Sequence, residues 1–318
     1  MESITQAFIL GAGLGMRMRP LTEQLPKPLV PIFQKALITF AFDHLIDAGC
    51  TKLIVNTHHR PEAFGPAEEV PYRGIPVRYR WEPILLETGG GIANVADLLG
   101  DEPFLVYNGD ILTDLPIQPL IDEHLRAGNV VTLALRSGGG PQDIAFDHAK
   151  RRIIDIRNQL QTGAPEEYLF TGIYAVNTEF LRWLEPGAKR SVIPTFLEMI
   201  RRGAKLGGIV LDQGAWWDVG TRAAYLQVHR ELPALEFPSY SVDDAGWRAP
   251  VHPLAVIETG AELRGCSVAG AGARVGAGAM LEDTIIWRGA QIASRSHLRN
   301  CIVRSQQRAE GEFNDIDI

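Results

Sequence analysis

The chain has 318 residues, 46% of them hydrophobic and 22% charged, an ordinary globular balance with length for one large domain and a smaller one. Its formal charge of −7 argues against nucleic acid as a partner, which needs a basic face, yet leaves room for a local phosphate pocket. Cys50, Cys266 and Cys301 form no C-x-x-C pair; a structural zinc site is not expected, and so sparse a set fits a reducing, cytoplasmic compartment.

The start of the chain, with its short apolar run but no basic region or small-residue cleavage site, reads as a first β-strand rather than a signal peptide. No stretch is long and apolar enough for a membrane span. From Gln6 to about His229 strand-like and helix-like segments alternate. Ala7 to Leu10 is a short apolar run ending in glycines. Leu37 to Ala48 has helical spacing, and Lys52 to Asn56 reads as a buried strand. Pro103 to Tyr107 is another strand, stopped by Asn108-Gly109-Asp110, and Val130 to Leu135 a third. This alternation predicts an α/β fold, a Rossmann-like, mainly parallel sheet with helices on both faces. Ligands of such sheets bind beyond the carboxyl ends of the strands.

Residues 231–250 hold Pro233, Pro238 and Pro250 among polar residues and read as a linker. From 251 to 305 short apolar residues recur about every sixth position: Ile257, Leu263, Val275 and Leu281, then Ile292 and Leu298. Gly-Ala pairs recur at Gly260, Gly272, Gly278 and Gly289. A six-residue period with small residues at corners predicts a short left-handed parallel β-helix, with roughly 18 residues per turn and about three coils. Its register slips between Leu281 and Ile292; a small Gly/Ala-rich sheet is the alternative. Residues 306–318 read as a polar, frayed tail.

The first strand runs into Gly11-Ala12-Gly13-Leu14-Gly15-Met16-Arg17-Met18-Arg19-Pro20. Glycines after a strand let backbone N–H groups approach phosphate oxygens. Met16 occupies the third glycine position of a dinucleotide fingerprint, and the Gly-Lys-Ser/Thr of a Walker loop is absent. Arg17 and, ten residues on, Lys27 between Pro26 and Pro28 add a guanidinium and an ammonium to the glycine loop. Such a combination suits a triphosphate.

These residues, Gly11-Ala12-Gly13-x-Gly15-x-Arg17-x-x-Pro20-Leu21-Thr22 followed by Pro26-Lys27-Pro28-Leu29, resemble the signature of the sugar-1-phosphate nucleotidyltransferase family. The similarity extends over residues 6 to about 229, which makes 1–230 the expected catalytic domain. The resemblance implies that Arg17 contacts a triphosphate and that Lys27 sits between the two reacting phosphates. Asp110 and the Asp218 of Trp216-Trp217-Asp218-Val219-Gly220 resemble family aspartates that bind Mg2+, a cation that takes one or two carboxylates plus phosphate oxygens and water. Gly11, Ala12, Gly13, Gly15 and Asn108 fall at the implied nucleotide site. Glu82 and Leu86-Glu87-Thr88-Gly89-Gly90-Gly91 resemble the nucleobase loop. Phe170-Thr171-Gly172-Ile173-Tyr174 occupies the place of the sugar-binding segment, with Gly172 as its matching glycine.

Two departures stand out. Where the family pattern has Glu-Lys-Pro, this chain has Asn158-Gln159-Leu160, and Phe170 replaces the asparagine of the sugar segment. Arg157 is the candidate for the missing lysine's phosphate contact; an exposed strand-end arginine is the alternative. The uridylyltransferases of N-acetylmuramic acid 1-phosphate also lack that lysine and share a similar E-T-G-G-G-I run, whereas mannose-1-phosphate guanylyltransferases often carry a β-helix. The implied partners are therefore a sugar 1-phosphate and either UTP or GTP, with self-association expected through the repeat. A non-catalytic regulatory subunit that binds a nucleotide sugar is the competing reading.

Overall fold

The computed structural model describes residues 3–65 and 69–318. The chain divides into two compact units. The first holds residues 1–14, 40–218 and 238–241. The second holds residues 15–39, 219–237 and 242–318. The division into compact units is not the one drawn near residue 230: the segment carrying Arg17 and Lys27 falls in the same unit as the C-terminal repeat.

The first unit is built on a ten-stranded sheet. Its strands are β1 (Gln6–Leu10), β2 (Lys52–Thr57), β3 (Glu69–Tyr72), β4 (Ile75–Trp81), β5 (Phe104–Asn108), β7 (Val131–Arg136), β8 (Ile144–Asp147), β9 (Arg152–Ile156), β10 (Glu166–Val176) and β11 (Leu206–Val210). A separate two-stranded ladder pairs β6 (Ile111–Thr113) with β12 (Trp216–Asp218). The order across the large sheet is β8-β9-β11-β7-β10-β5-β1-β2-β4-β3. The run β5-β1-β2-β4 is parallel, and so is β11 with β7.

The expectation of a mainly parallel sheet needs correction, because β10 lies antiparallel between β5 and β7 and β8 and β9 pair antiparallel. For β8 and β9 the reason is connection length, since only residues 148–151 join them. A parallel neighbour needs a long crossover, usually a helix, and no helix interrupts the chain from β7 to β10.

Helices cover both faces of the sheet. Successive strand residues point to opposite faces. Phe8, Ile54, Val106 and Leu133 form one apolar face with Ile92 of α2 (Glu87–Asn94) and Phe196 of α4 (Val192–Arg201). On the other face, His44 of α1 (Leu37–Asp47) meets Tyr107, and His124 of α3 (Gln118–Ala127) meets Thr132. β1, β2 and β5 are buried nearly throughout, which is why they read as unbroken apolar runs rather than alternating ones.

In the second unit, three short parallel sheets stack. One ladder holds Val256–Ile257, Arg274–Val275, Gln291–Ile292 and Arg308–Ala309. Another holds Glu262–Arg264, Met280–Glu282, His297–Arg299 and Glu312–Asn314. The third holds Val268–Ala269, Ile285–Ile286 and Ile302–Val303. Ile257, Val275 and Ile292 fall in one register, as do Leu263, Leu281 and Leu298. Gly260, Gly272, Gly278 and Gly289 all have positive φ, at 76°, 68°, 69° and 68°. Each turns a corner, and after three of them a small alanine enters the core, at Ala273, Ala279 and Ala290.

Two expectations fail here. Residues 306–318 are not a frayed tail. They supply Arg308–Ala309 and Glu312–Asn314 as further rungs, since a polar outer face still ladders when Ala309 and Phe313 turn inward. Nor is 231–250 a solvated linker: Leu232, Phe237, Tyr240 and Trp247 are buried. Its prolines preclude long regular elements, and its aromatic residues pack all the same.

Packed against the repeat in this unit is α5 (Arg222–Glu231), capped by Thr221. Its Arg222 donates from Nε to Asp317 Oδ1 at 2.6 Å, and its Tyr225 hydroxyl accepts from the Trp287 indole N–H at 3.0 Å. No helix among the described residues is long and apolar enough to cross a membrane.

Candidate active site

A cleft of about 380 Å³ opens in the first unit at the carboxyl ends of β1, β2 and β5, where such sheets place their ligands. The β1–β2–β5 register sets Leu10, Asn56 and Asn108 side by side, and all three line the cleft together with Ala12 and Gly13 of the loop that follows β1. Asp110 lines it from the β5–β6 turn. Leu85, Glu87 and Thr88 line it from the start of α2, and Ser191 from the N-cap of α4.

Several residues hold this wall without lining it. Gly11 donates its N–H to Asn56 Oδ1 at 2.8 Å, and Asn56 Nδ2 donates to Glu82 Oε1 at 2.7 Å. Glu82 accepts from the Leu86 N–H through its other oxygen at 3.0 Å and is 0% exposed. Burial pushes its carboxyl above the usual range, and the bonds from Asn56 and Leu86 oppose that push. Glu82 thus joins β2 to the start of α2 and has no surface for a nucleobase.

Gly89 and Gly90 differ from expectation in the same way. Their N–H groups both donate to Arg190 O, at 2.9 and 3.0 Å, so neither is free for a base edge. Their lack of a side chain serves close packing: a Cβ on Gly90 would come 2.3 Å from Ala188 O, and one on Gly89 would come 3.0 Å from Arg190 O. Thr88 Oγ1 accepts from the Val192 N–H at 2.8 Å, which fastens α2 to the first turn of α4.

Gly172 has φ of +81°, and a Cβ there would sit 2.7 Å from Asn108 Nδ2. Glycine at 172 therefore lets the Asn108 side chain approach β10. Arg157 is not on the cleft lining. Its Nε donates to Asp143 Oδ2 at 2.9 Å and its backbone N–H to Asp143 O at 2.7 Å, with the side chain largely exposed. The alternative reading, an exposed strand-end arginine, describes this geometry.

The β6–β12 ladder brings the two aspartate-bearing segments side by side, with Asp110 on the cleft lining and Asp218 outside it. Asp218 pairs opposite Ile111, the residue next to Asp110. Asp114 fastens this ladder, accepting from the Ala215 N–H at 2.7 Å and the Ser239 N–H at 3.1 Å, while Thr113 Oγ1 donates to Ala215 O at 2.5 Å. Trp216 donates its indole N–H to Thr171 O at 3.0 Å, a packing role. No group of three or more His, Cys, Asp or Glu among the described residues could hold a metal by itself. Two carboxylates with oxygen donors only fit Mg2+, which takes its remaining ligands from phosphate and water.

In the second unit, Gly15 has φ of +60°, and a Cβ there would lie 2.6 Å from Thr22 Cγ2. Thr22 Oγ1 donates to Gly15 O at 2.9 Å, closing the turn that carries Arg17. Arg17 is exposed and Lys27 is buried.

No motif in the sequence marks Asn56 as part of the cleft. A polar amide ending an apolar strand, Lys52-Leu-Ile-Val-Asn56, was the available signal, and its partners lie 45 and 26 residues away.

A glycine loop and the Asp110 carboxylate at a cleft beyond the strand ends of a mixed α/β sheet fit a protein that handles nucleotides. The family model described as nucleotidyl transferase matches residues 6–234, and the chain belongs to that family. It is similar to a mannose-1-phosphate guanylyltransferase of Mycobacterium tuberculosis, with 29% identity over 294 residues, 90% of this chain and 80% of the relative. An N-acetylmuramate alpha-1-phosphate uridylyltransferase of Neisseria meningitidis serogroup B is 32% identical over 228 residues, 68% of this chain and 93% of the relative. Among solved structures, a putative glucose-1-phosphate thymidylyltransferase from Bacillus anthracis superposes with a TM-score of 0.62 at 20% identity, covering 74% of this chain and 98% of that one. At that identity the likeness concerns the fold.

Proposed function

We propose that this enzyme transfers a nucleotidyl group from UTP or GTP to a sugar 1-phosphate. A phosphate oxygen of the sugar 1-phosphate attacks the α-phosphorus in line. A new P–O bond forms, the bond from the α-phosphorus to the bridging oxygen breaks, and its electron pair leaves with pyrophosphate. The nucleophile is ionised at neutral pH, so the step needs no general base and rests on positioning and charge neutralisation.

The observation that carries this reading is the cleft that Asp110 lines together with Ala12, Gly13 and Asn108, next to the β6–β12 register in which Asp218 pairs with Ile111. Asp110 and Asp218 would hold Mg2+, which lowers the negative charge that the nucleophile meets at the α-phosphate. Ala12 and Gly13 offer a close backbone approach to the nucleotide, with Asn108 and Thr88 as polar contacts. Arg17 and Lys27 supply positive charge to the triphosphate. The relative from Mycobacterium tuberculosis, aligned over 90% of this chain, supports GTP and mannose 1-phosphate. The relative from Neisseria meningitidis supports UTP.

The stacked ladders of the second unit fit a left-handed β-helix with 17- and 18-residue spacings between paired strands. Its first coil exposes Val251, Leu254 and Val256, an apolar rim suited to self-association of a cytoplasmic enzyme. The deciding experiment is pyrophosphate release over a grid of the four NTPs and a panel of sugar 1-phosphates, with and without EDTA. Release from one NTP–sugar combination, abolished by EDTA, is the expected result. No release in any combination would overturn the reading.

A further inference from the structure

The segment from Gly15 to Thr39 and the C-terminal repeat share one compact unit, and hydrogen bonds join them directly. Its part around Arg17 and Lys27 has little structure of its own: a three-residue turn at Met16–Met18, a four-residue helix at Leu21–Gln24 and another short turn at Lys27–Leu29, before the small ladder of Pro31–Ile32 with Lys35–Ala36. One-turn helices are marginal in isolation, so what the segment is tied to sets its conformation.

The ties around Pro20 to Gln24 come from the repeat, and those further along come from α5 and residues 247–249 as well. Gln24 Nε2 donates to Ser305 O at 2.7 Å, and Gln24 Oε1 accepts from the Ser305 N–H at 2.9 Å. This reciprocal pair satisfies both sides of the amide. Arg304 donates from Nη1 to Pro20 O at 3.3 Å and approaches Glu23 at 3.9 Å, while its Nε donates to Ile318 O at 3.2 Å. Further along, the Tyr225 hydroxyl donates to Pro31 O at 2.6 Å and receives the Trp287 N–H. Gln34 Nε2 donates to Ala269 O of the repeat at 3.2 Å. Pro20, Glu23 and Gln24 lie between Arg17 and Lys27 in sequence.

We infer that the last coil of the repeat is a positioning element for the nucleotidyl transfer, with Gln24 and Arg304 as the positioning residues that fix where Arg17 and Lys27 stand. The repeat thereby takes part in catalysis without touching substrate. This inference rests on the proposed roles of Arg17 and Lys27.

The test uses the full chain. Gln24→Ala and Arg304→Ala, with Gln24→Glu as a partner that keeps the acceptor for the Ser305 N–H but sets a carboxylate against Ser305 O, are assayed for pyrophosphate release. Each is expected to lose about tenfold or more in kcat/KM for the NTP, the scale on which small misplacements act. Arg264→Ala, in an earlier coil where exposed Arg264 pairs with Glu262, is expected to keep wild-type kinetics. Hydrogen exchange supplies the second readout: amides of residues 15–29 should exchange faster in Arg304→Ala while the buried ladders keep their protection. Wild-type kinetics and unchanged exchange in Gln24→Ala and Arg304→Ala, with Arg17→Ala and Lys27→Ala impaired, would overturn the positioning role alone. Wild-type turnover in Arg17→Ala and Lys27→Ala would overturn it together with the roles it rests on.

Discussion

Replacing Asn56 by alanine tests the wall of the cleft. Asn56 is 1% exposed and spends its amide on two bonds, accepting from Gly11 and donating to Glu82. Alanine leaves the Gly11 N–H and one Glu82 oxygen without these partners. A bond to a charged group contributes about 1.5–3 kcal/mol, and an orphaned buried donor costs about 1–3 kcal/mol. Because the two terms overlap through shared relaxation, a net loss of about 2–4 kcal/mol is expected.

The pH dependence has a definite sign. Burial already raises the Glu82 carboxyl above its ordinary value, and the Asn56 bond lowers it. Removing that bond raises it further. A carboxyl whose folded value is raised favours the fold below its unfolded value, and that favour is lost as pH rises through the folded value. Asn56→Ala should therefore be more destabilised at pH 8 than at pH 5. Urea unfolding at both pH values, with KM for the NTP measured alongside, is the assay. A loss under about 0.5 kcal/mol, where ordinary surface substitutions fall, or a loss larger at pH 5, would refute this account of the wall.

Four other outcomes follow from the same geometry. Asp110→Asn and Asp218→Asn should each depress Mg2+-dependent pyrophosphate release while leaving the circular dichroism spectrum intact; full turnover in both, or in EDTA, removes the metal assignment. Arg17→Ala and Lys27→Ala should each cost about a hundredfold in kcat, the usual scale for losing one donor to transition-state charge. Gly90→Ala sets a Cβ 2.3 Å from Ala188 O, so a lowered melting temperature and a raised KM for the NTP are expected. Truncation after Leu232 removes the partners of Gln24, Arg222 and Tyr225; activity should be lost, and a truncated chain with full turnover would show that the repeat is dispensable.

The parts of this protein legible from residues alone are those whose signal is local. Glycine spacing after an apolar strand marked the loop beside the cleft. The Asn108-Gly109-Asp110 turn marked a strand's end, and the six-residue period marked two of the three ladders. Arg17, Lys27, Asp110 and Asp218 were singled out by resemblance; the register that sets Asp218 beside the Asp110 turn depends on a pairing between residues far apart in the chain.

Tertiary structure decided what the neighbours of each residue leave available. Gly89 and Gly90 looked like an open base loop, but their N–H groups are taken by Arg190 O. Glu82 looked like a nucleobase contact, and its oxygens belong to Asn56 and Leu86. Arg157 answers Asp143. The polar tail could not announce its rungs, because a ladder's hydrogen bonds are made by backbone, which composition does not reveal. The joining of residues 15–39 to the repeat depends on contacts such as Gln24 with Ser305, 281 positions apart. Hydrogen-bond partners at that separation are set by how the chain packs, and no local pattern in the sequence encodes them.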